Sequence, residues 1–214
     1  RLILPQVQTI RDLLDHGAMA LTVKEKELRL ALESLKDPPA LVVTDSQAFA
    51  EVVAEVSPRT KMTSFSILMA RYKGDLTTFV EGARAIDSLH AGSRVLITES
   101  CSHHPIEDDI GRVKIPRWLT DYLGTEVQID TLAGRDFPED PTGYDLVIQC
   151  GGCVHNKREM LSRLARCRRA GVPITNYGVA IAWLLSVAER ALSPFPEALA
   201  VLNKETWQRS LDAV

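Results

Sequence analysis

Apolar residues recur at helical spacing three times in the first third of the chain: Val7, Ile10, Leu13 and Leu14; Leu28, Ala31, Leu32 and Leu35; Phe49, Val52, Val53 and Val56. Short apolar runs of strand length lie between and after them, at Met19 to Val23, Leu41 to Thr44 and Lys61 to Phe65. Pro38-Pro39 precedes the second run, and Asp45 follows it as a candidate helix cap. The Tyr72-Lys73-Gly74-Asp75 stretch is the most turn-like break and predicts a domain boundary. Beyond it, Phe79, Val80, Ala83 and Ile86 mark a helix, and Val95 to Thr98 a strand that ends just before Cys101. A helix entered through Pro116 carries Trp118, Leu119, Tyr122 and Leu123 and stops at Gly124. Strands at Glu126 to Ile129 and Asp145 to Ile148 follow. A helix with Met160, Leu161 and Leu164 on one face then stops at Gly171, Val172 to Thr175 forms a strand, and one long helix spans about Val179 to Leu192. Alternating strands and helices predict an α/β fold of two small domains, residues 1–73 and 74–214, each with a mostly parallel sheet flanked by helices.

Composition supports a packed core. The 214 residues are 45% hydrophobic and 25% charged, which excludes a disordered or collagen-like chain. A net charge of -3 and a pI near 6.0 give no electrostatic reason to expect nucleic acid as a partner. No apolar run approaches the roughly 18 residues of a membrane span. Leu2 to Leu4 is too short for a signal-peptide core, so a cytoplasmic protein is expected. Because the first residue is Arg1, the chain reads as processed or excised from a longer one. It contains no internal repeat and no low-complexity segment.

Four cysteines then need a role: Cys101, Cys150, Cys153 and Cys167. A chain of this size needs no disulfide staples, and clustered cysteines in a reducing compartment more often bind metal or perform redox chemistry. The pattern is Cys101-Ser102-His103, then 46 residues, then Cys150-Gly151-Gly152-Cys153. A Cys-x-x-Cys turn aims two thiolates at one centre, and paired glycines ease the turn because glycine tolerates positive φ. They also let backbone N–H groups approach sulfur, while the following helix adds the partial positive charge of its N-terminus. Cys101 and Cys150 each follow a predicted strand, at the sheet edge where α/β proteins bind ligands. By spacing, three cysteines with His103 accommodate either a closed structural zinc site or an iron-sulfur cluster held by three thiolates and a weaker fourth donor. A redox dithiol at Cys150 and Cys153 is a third reading, disfavoured because the motif lies deep in the chain.

Several segments together carry a wider resemblance. Leu4-Pro5-Gln6-Val7-Gln8-Thr9-Ile10-Arg11, Val42-Val43-Thr44-Asp45-Ser46-Gln47-Ala48-Phe49 and Glu99-Ser100-Cys101-Ser102-His103-His104-Pro105 are three of them. Asp109-Ile110-Gly111-Arg112-Val113-Lys114-Ile115-Pro116, Cys150-Gly151-Gly152-Cys153 and Thr175-Asn176-Tyr177-Gly178-Val179-Ala180 are the others. The sequence resembles the HydF family, maturation factors of [FeFe]-hydrogenases, along nearly its whole length. Members of that family combine an N-terminal GTPase domain, a dimerisation domain and a domain holding a [4Fe-4S] cluster. This sequence has no Gly-x-x-x-x-Gly-Lys-Ser/Thr loop, so the resemblance implies a chain without the GTPase domain. Binding and hydrolysis of GTP, with Mg, would then belong to the full-length protein, and no catalysis is expected of these residues.

The resemblance further implies a homodimeric scaffold and carrier. It would accept a transient diiron precursor built with radical-SAM maturation enzymes and deliver it to the [FeFe]-hydrogenase apoprotein, without nucleic-acid or membrane partners. Cys101, Cys150 and Cys153 would be the firm cluster ligands. The family's Cys-x-His element makes His103 the first candidate for the fourth; many members also have His directly before Cys-Gly-Gly-Cys, where this chain has Gln149, a poor iron ligand. Glu99, Glu107, Asp108, Asp109 or water are the substitutes. A zinc-stabilised interaction module is the competing class.

Other conspicuous residues have plainer readings. His104 and His155 read as supporting or surface residues, and Cys167 as structural. Arg112 and Lys114 read equally as an anion-attracting pair and as a solvated loop. The run Arg163 to Arg169 reads as a charged helix face, its end complementing the helix dipole before Gly171.

Overall fold

The computed structural model describes residues 2–100, 109–134 and 136–203. The first part of the chain forms α1 (Leu4–Asp15), α2 (Leu28–Ser34), β1 (Leu41–Thr44), α3 (Phe49–Glu55), β2 (Lys61–Ser64) and α4 (Phe65–Lys73). Strands β1 and β2 pair in parallel, with Leu41 opposite Lys61 and Thr44 opposite Ser64. The second part forms α5 (Leu76–Ala83), β3 (Arg94–Glu99), α6 (Ile115–Leu123), β4 (Gln128–Ala133), β5 (Leu146–Gln149), α7 (Lys157–Ala170), β6 (Ile174–Asn176), α8 (Tyr177–Leu184) and α9 (Ala188–Leu192). Its sheet is parallel throughout, in the order β4-β3-β5-β6. The α/β class with parallel sheets flanked by helices is therefore correct.

The strands at the centre of that sheet are apolar on both faces, as a parallel sheet covered by helices requires. Val95, Leu96 and Ile97 of β3 and Leu146, Val147 and Ile148 of β5 are fully buried. Their cluster is continuous with Phe49, Val52, Met62 and Ile67 from the first part of the chain, and α9 packs against β2. Close backbone approach holds α5 onto β6: a Cβ at Gly82 would lie 2.0 Å from the Ile174 carbonyl oxygen.

Helix boundaries follow local chemistry. Gly124 and Gly171 end α6 and α7 in the left-handed conformation, at φ 67° each, so both predicted glycine stops hold. Two strands run into helices with no loop between them, and each junction is capped by a polar side chain. Ser64 Oγ accepts from the Ile67 N–H at 3.2 Å to start α4, and Asn176 Oδ1 accepts from the Val179 N–H at 3.0 Å to start α8.

Five expectations are corrected. Met19 to Val23 is not a strand: Met19, Leu21 and Val23 are exposed, Met19 at 99%, and no strand of the described residues pairs with them. Lys61 to Phe65 is strand only to Ser64, because the Ser64 cap turns Phe65 into α4. The second strand of the second part, β4, runs from Gln128 to Ala133, later than Glu126 to Ile129. The single helix over Val179 to Leu192 is broken into α8 and α9 around Ser186, which takes φ 58°. Asp45 is also no side-chain cap; its carboxylate accepts instead from Gln6 Nε2 on α1 at 2.9 Å.

Candidate functional site at the cysteine loop

The candidate site lies at the carboxyl edge of β3 and β5, the neighbouring strands that Cys101 and Cys150 follow in the sequence. Strand β5 ends at Gln149, and the Cys150 N–H still donates to the Thr98 carbonyl of β3 at 2.9 Å. Cys150 is thus fixed by the last rung of the ladder. The chain then turns through Gly151 and Gly152 to Cys153, and α7 opens at Lys157 behind an Asn156 cap. Gly152 has φ +61°, and a Cβ there would sit 2.4 Å from Met160 Sδ. Glycine is required at that position by conformation and by space alike.

Three polar contacts surround the Cys150 sulfur. The Ser100 N–H points at it from 3.1 Å and the Gly152 N–H from 3.4 Å, and the thiol donates to Ser100 Oγ at 3.0 Å. Burial pushes the Cys150 thiol up, and the hydrogen bonds from Ser100 and Gly152 act in the opposite direction. Backbone N–H groups aimed at a sulfur are donors that favour thiolate over thiol, and they are the contacts a ligated cysteine keeps.

Beneath the loop sits a buried cation. Lys73, the last residue of α4, is only 7% exposed. Its Nζ donates to the carbonyl oxygens of Gly152 at 3.0 Å, Cys153 at 2.9 Å and His155 at 2.9 Å. Burial lowers the Lys73 pKa, while Cys153 and Cys150 pull it upward. Nothing in the sequence marks this lysine, which lies 79 to 82 residues from the groups it holds. Helix α4 meets the loop at its other end as well. Ser66 Oγ accepts from Asn176 Nδ2 at 3.0 Å and from the Gly178 N–H at 3.1 Å, and Gly151 faces Ser66 and Met69.

The remaining candidates are distributed as follows. Cys101, His103, His104, Glu107 and Asp108 lie outside the described residues. Among the described residues, no three His, Cys, Asp or Glu side chains gather as a metal-holding group. Gln149 is fully buried and turned toward α7, its Nε2 directed at Met160 Sδ 3.5 Å away. Glu99, at the end of β3, is buried and meets Arg112 Nη2 at 3.4 Å. Burial raises its carboxyl, Asp109 adds to the rise and Arg112 opposes it. A Cβ at Gly111 would lie 2.1 Å from Tyr177 Oη and 2.7 Å from Glu99 Oε1, so glycine is what admits both groups. Asp109 accepts from the Arg112 N–H at 2.9 Å, capping the π-helical turn Ile110–Lys114. Lys114 donates to Gln47 at 2.9 Å.

His155 is buried rather than on the surface. Cys167 is fully buried in the core, its thiol pushed up to about 12 by burial, which makes it inert. Arg163 departs from the charged-face expectation: it is 0% exposed, bonded to Glu159 Oε1 at 3.0 Å and the Gly134 carbonyl at 3.2 Å, and stacked on Phe137.

Comparison with family models gives two matches: the Hydrogen maturase F dimerization domain over residues 1–74 and the Hydrogen maturase F tetramerization domain over residues 77–194. The pair defines a self-associating hydrogenase maturation factor. The chain belongs to the hydrogen maturase F (HydF) family. A search of curated proteins finds no match.

Proposed function

We propose that this chain holds a [4Fe-4S] cluster on Cys101, Cys150 and Cys153 and serves as the scaffold and carrier of a diiron precursor for [FeFe]-hydrogenase. The observation that carries the reading is the Cys150 sulfur, which meets the Ser100 and Gly152 N–H groups on a glycine turn at the sheet edge. Ser100 is the covalent neighbour of Cys101, so the contact ties the backbone entering one cysteine segment to the sulfur of the other. The residues fit the group. Two cysteines share one short loop, backbone donors face sulfur, and a buried ammonium lies on the carbonyl side of the loop to offset anionic charge.

Each residue has a task in this account. Cys150 and Cys153 supply thiolates from one turn, and Cys101, which follows β3 in the sequence, supplies the third. Gly152 keeps the turn in its left-handed conformation, and Ser100 holds the Cys150 sulfur in place. When bound, the cluster supplies one iron whose fourth donor can leave so that a bridging group of the precursor takes its position. Gln149 is turned toward α7 and Asp109 is engaged as a cap; His103 is the first candidate for the exchangeable donor. Delivery to the hydrogenase apoprotein, supply by radical-SAM enzymes and GTP hydrolysis by a further domain complete the proposal for the whole protein.

Anaerobic reconstitution with iron and sulfide tests the reading. A broad brown absorption with about four irons per chain is expected. Zinc uptake without iron uptake would instead establish the zinc-stabilised interaction module.

A further inference from the structure

The dimerization-domain match ends at residue 74, and Lys73 is the last residue of α4 within it. Its ammonium nonetheless lies wholly against the cysteine loop. An ammonium has three donors, and here each has one acceptor: the carbonyls of Gly152, Cys153 and His155. All three acceptors belong to the six residues, 151–156, that turn the chain from Cys150 into α7. With its carbonyl on the cation, Gly152 turns its own N–H to the Cys150 sulfur, while the His155 N–H closes the turn onto the Gly152 carbonyl at 3.0 Å.

We propose that Lys73 is the positioning residue of the cysteine loop. Its ammonium clamps the three carbonyls, holds Cys150 and Cys153 in one ligating conformation, and keeps a fixed positive charge beside the anionic group they bind. The clamp stands on geometry alone; the effect on a bound group rests on the cluster reading above. A buried Lys without these acceptors would be strongly unfavourable, and without the ammonium the Cys153 and His155 carbonyls would lose this donor while Gly152 keeps only the His155 N–H, which makes the arrangement two-sided. The same residue links the self-associating part of the chain to the loop, so a change in the set of α4 is felt at the cysteines.

The test compares the wild-type chain with Lys73→Met, which keeps length without charge or donors, and Lys73→Arg, which keeps charge. Hydrogen exchange on the metal-free chains reads the clamp: amides of residues 150–155 should exchange at least about tenfold faster in Lys73→Met, with the central strands unchanged. The midpoint potential of the reconstituted cluster reads the charge. Losing a nearby cation disfavours the reduced, more negative form, so Lys73→Met should lie lower, by about 59 mV for a tenfold change in a one-electron equilibrium. Lys73→Arg should stay near the wild-type potential. Should Lys73→Met fail to fold, Lys73→Leu, which likewise has neither charge nor donors, takes its place in both measurements. Wild-type exchange in the uncharged variant overturns the clamp. An unchanged potential, or equal shifts in the Arg and uncharged variants, overturns the electrostatic role. If wild-type protein takes up no iron, the cluster reading fails while the exchange experiment still decides the clamp.

Discussion

Gly152 carries the most local information in the site. Its φ of +61° and the Met160 sulfur at 2.4 Å from a built Cβ make Gly152→Ala a double insult. Left-handed strain alone costs about 1 to 3 kcal/mol. Gly152→Ala should therefore lose cluster assembly while the far-UV circular dichroism of the chain is retained, and a variant that assembles a full cluster would show that the turn is not needed. The Cys-Gly-Gly-Cys spacing announced this site because glycine pairs and cysteine pairs are local features. Lys73 and Arg163 were hidden for the opposite reason. A lysine beside a turn and an arginine in a basic helix are indistinguishable from solvated residues until distant carbonyls, here Gly152 and Gly134, arrive to accept their hydrogen bonds.

Among the elements legible in the sequence, the glycine-terminated α6 and α7 carry a local stop and the buried strands β3 and β5 a continuous apolar run, while β1 matches its expected bounds, Leu41 to Thr44. Helix α4 was missed because Ser64 makes the change from strand to helix without a loop, so the apolar run continues through the junction. Met19 to Val23 has strand-like composition but no ladder within the described chain, and strand propensity without a partner forms no strand. Asp75 shows how a cap can be tested. Its carboxylate accepts from the Thr78 N–H at 3.2 Å and Thr77 Oγ1 at 2.6 Å at the start of α5. Burial acts to raise this carboxyl, but the Thr77 and Thr78 hydrogen bonds outweigh it and the pKa falls below its ordinary 3.8. A lowered carboxyl contributes stability that is complete above 3.8 and is lost as pH falls through the folded value. Asp75→Ala should cost about 1 kcal/mol in urea denaturation at neutral pH, and the difference should shrink at acid pH. A difference that grows on acidification would contradict the assignment.

Across the whole molecule, the two halves share one continuous apolar core, yet α1 has no buried residue. Val7 and Leu14 on that helix are 48% and 55% exposed, and Leu2, Ile3, Leu21 and Leu30 extend the apolar surface. Surface of this kind on a dimerization domain is expected to be covered by a second copy. Val7→Glu combined with Leu14→Glu should shift the sedimentation of the chain toward monomer without lowering its helix content; an unchanged oligomer would place the interface elsewhere. The account as a whole depends on two remote segments meeting at one cluster, and iron content per chain after anaerobic reconstitution of Cys101→Ser beside Cys167→Ser tests that most directly. Cys167→Ser should retain about four irons at a cost of roughly 1 to 3 kcal/mol in stability, because it buries a hydroxyl in place of an apolar thiol in the core. Cys101→Ser should retain almost none; equal retention, or equal loss with both chains folded, would contradict the three-cysteine site.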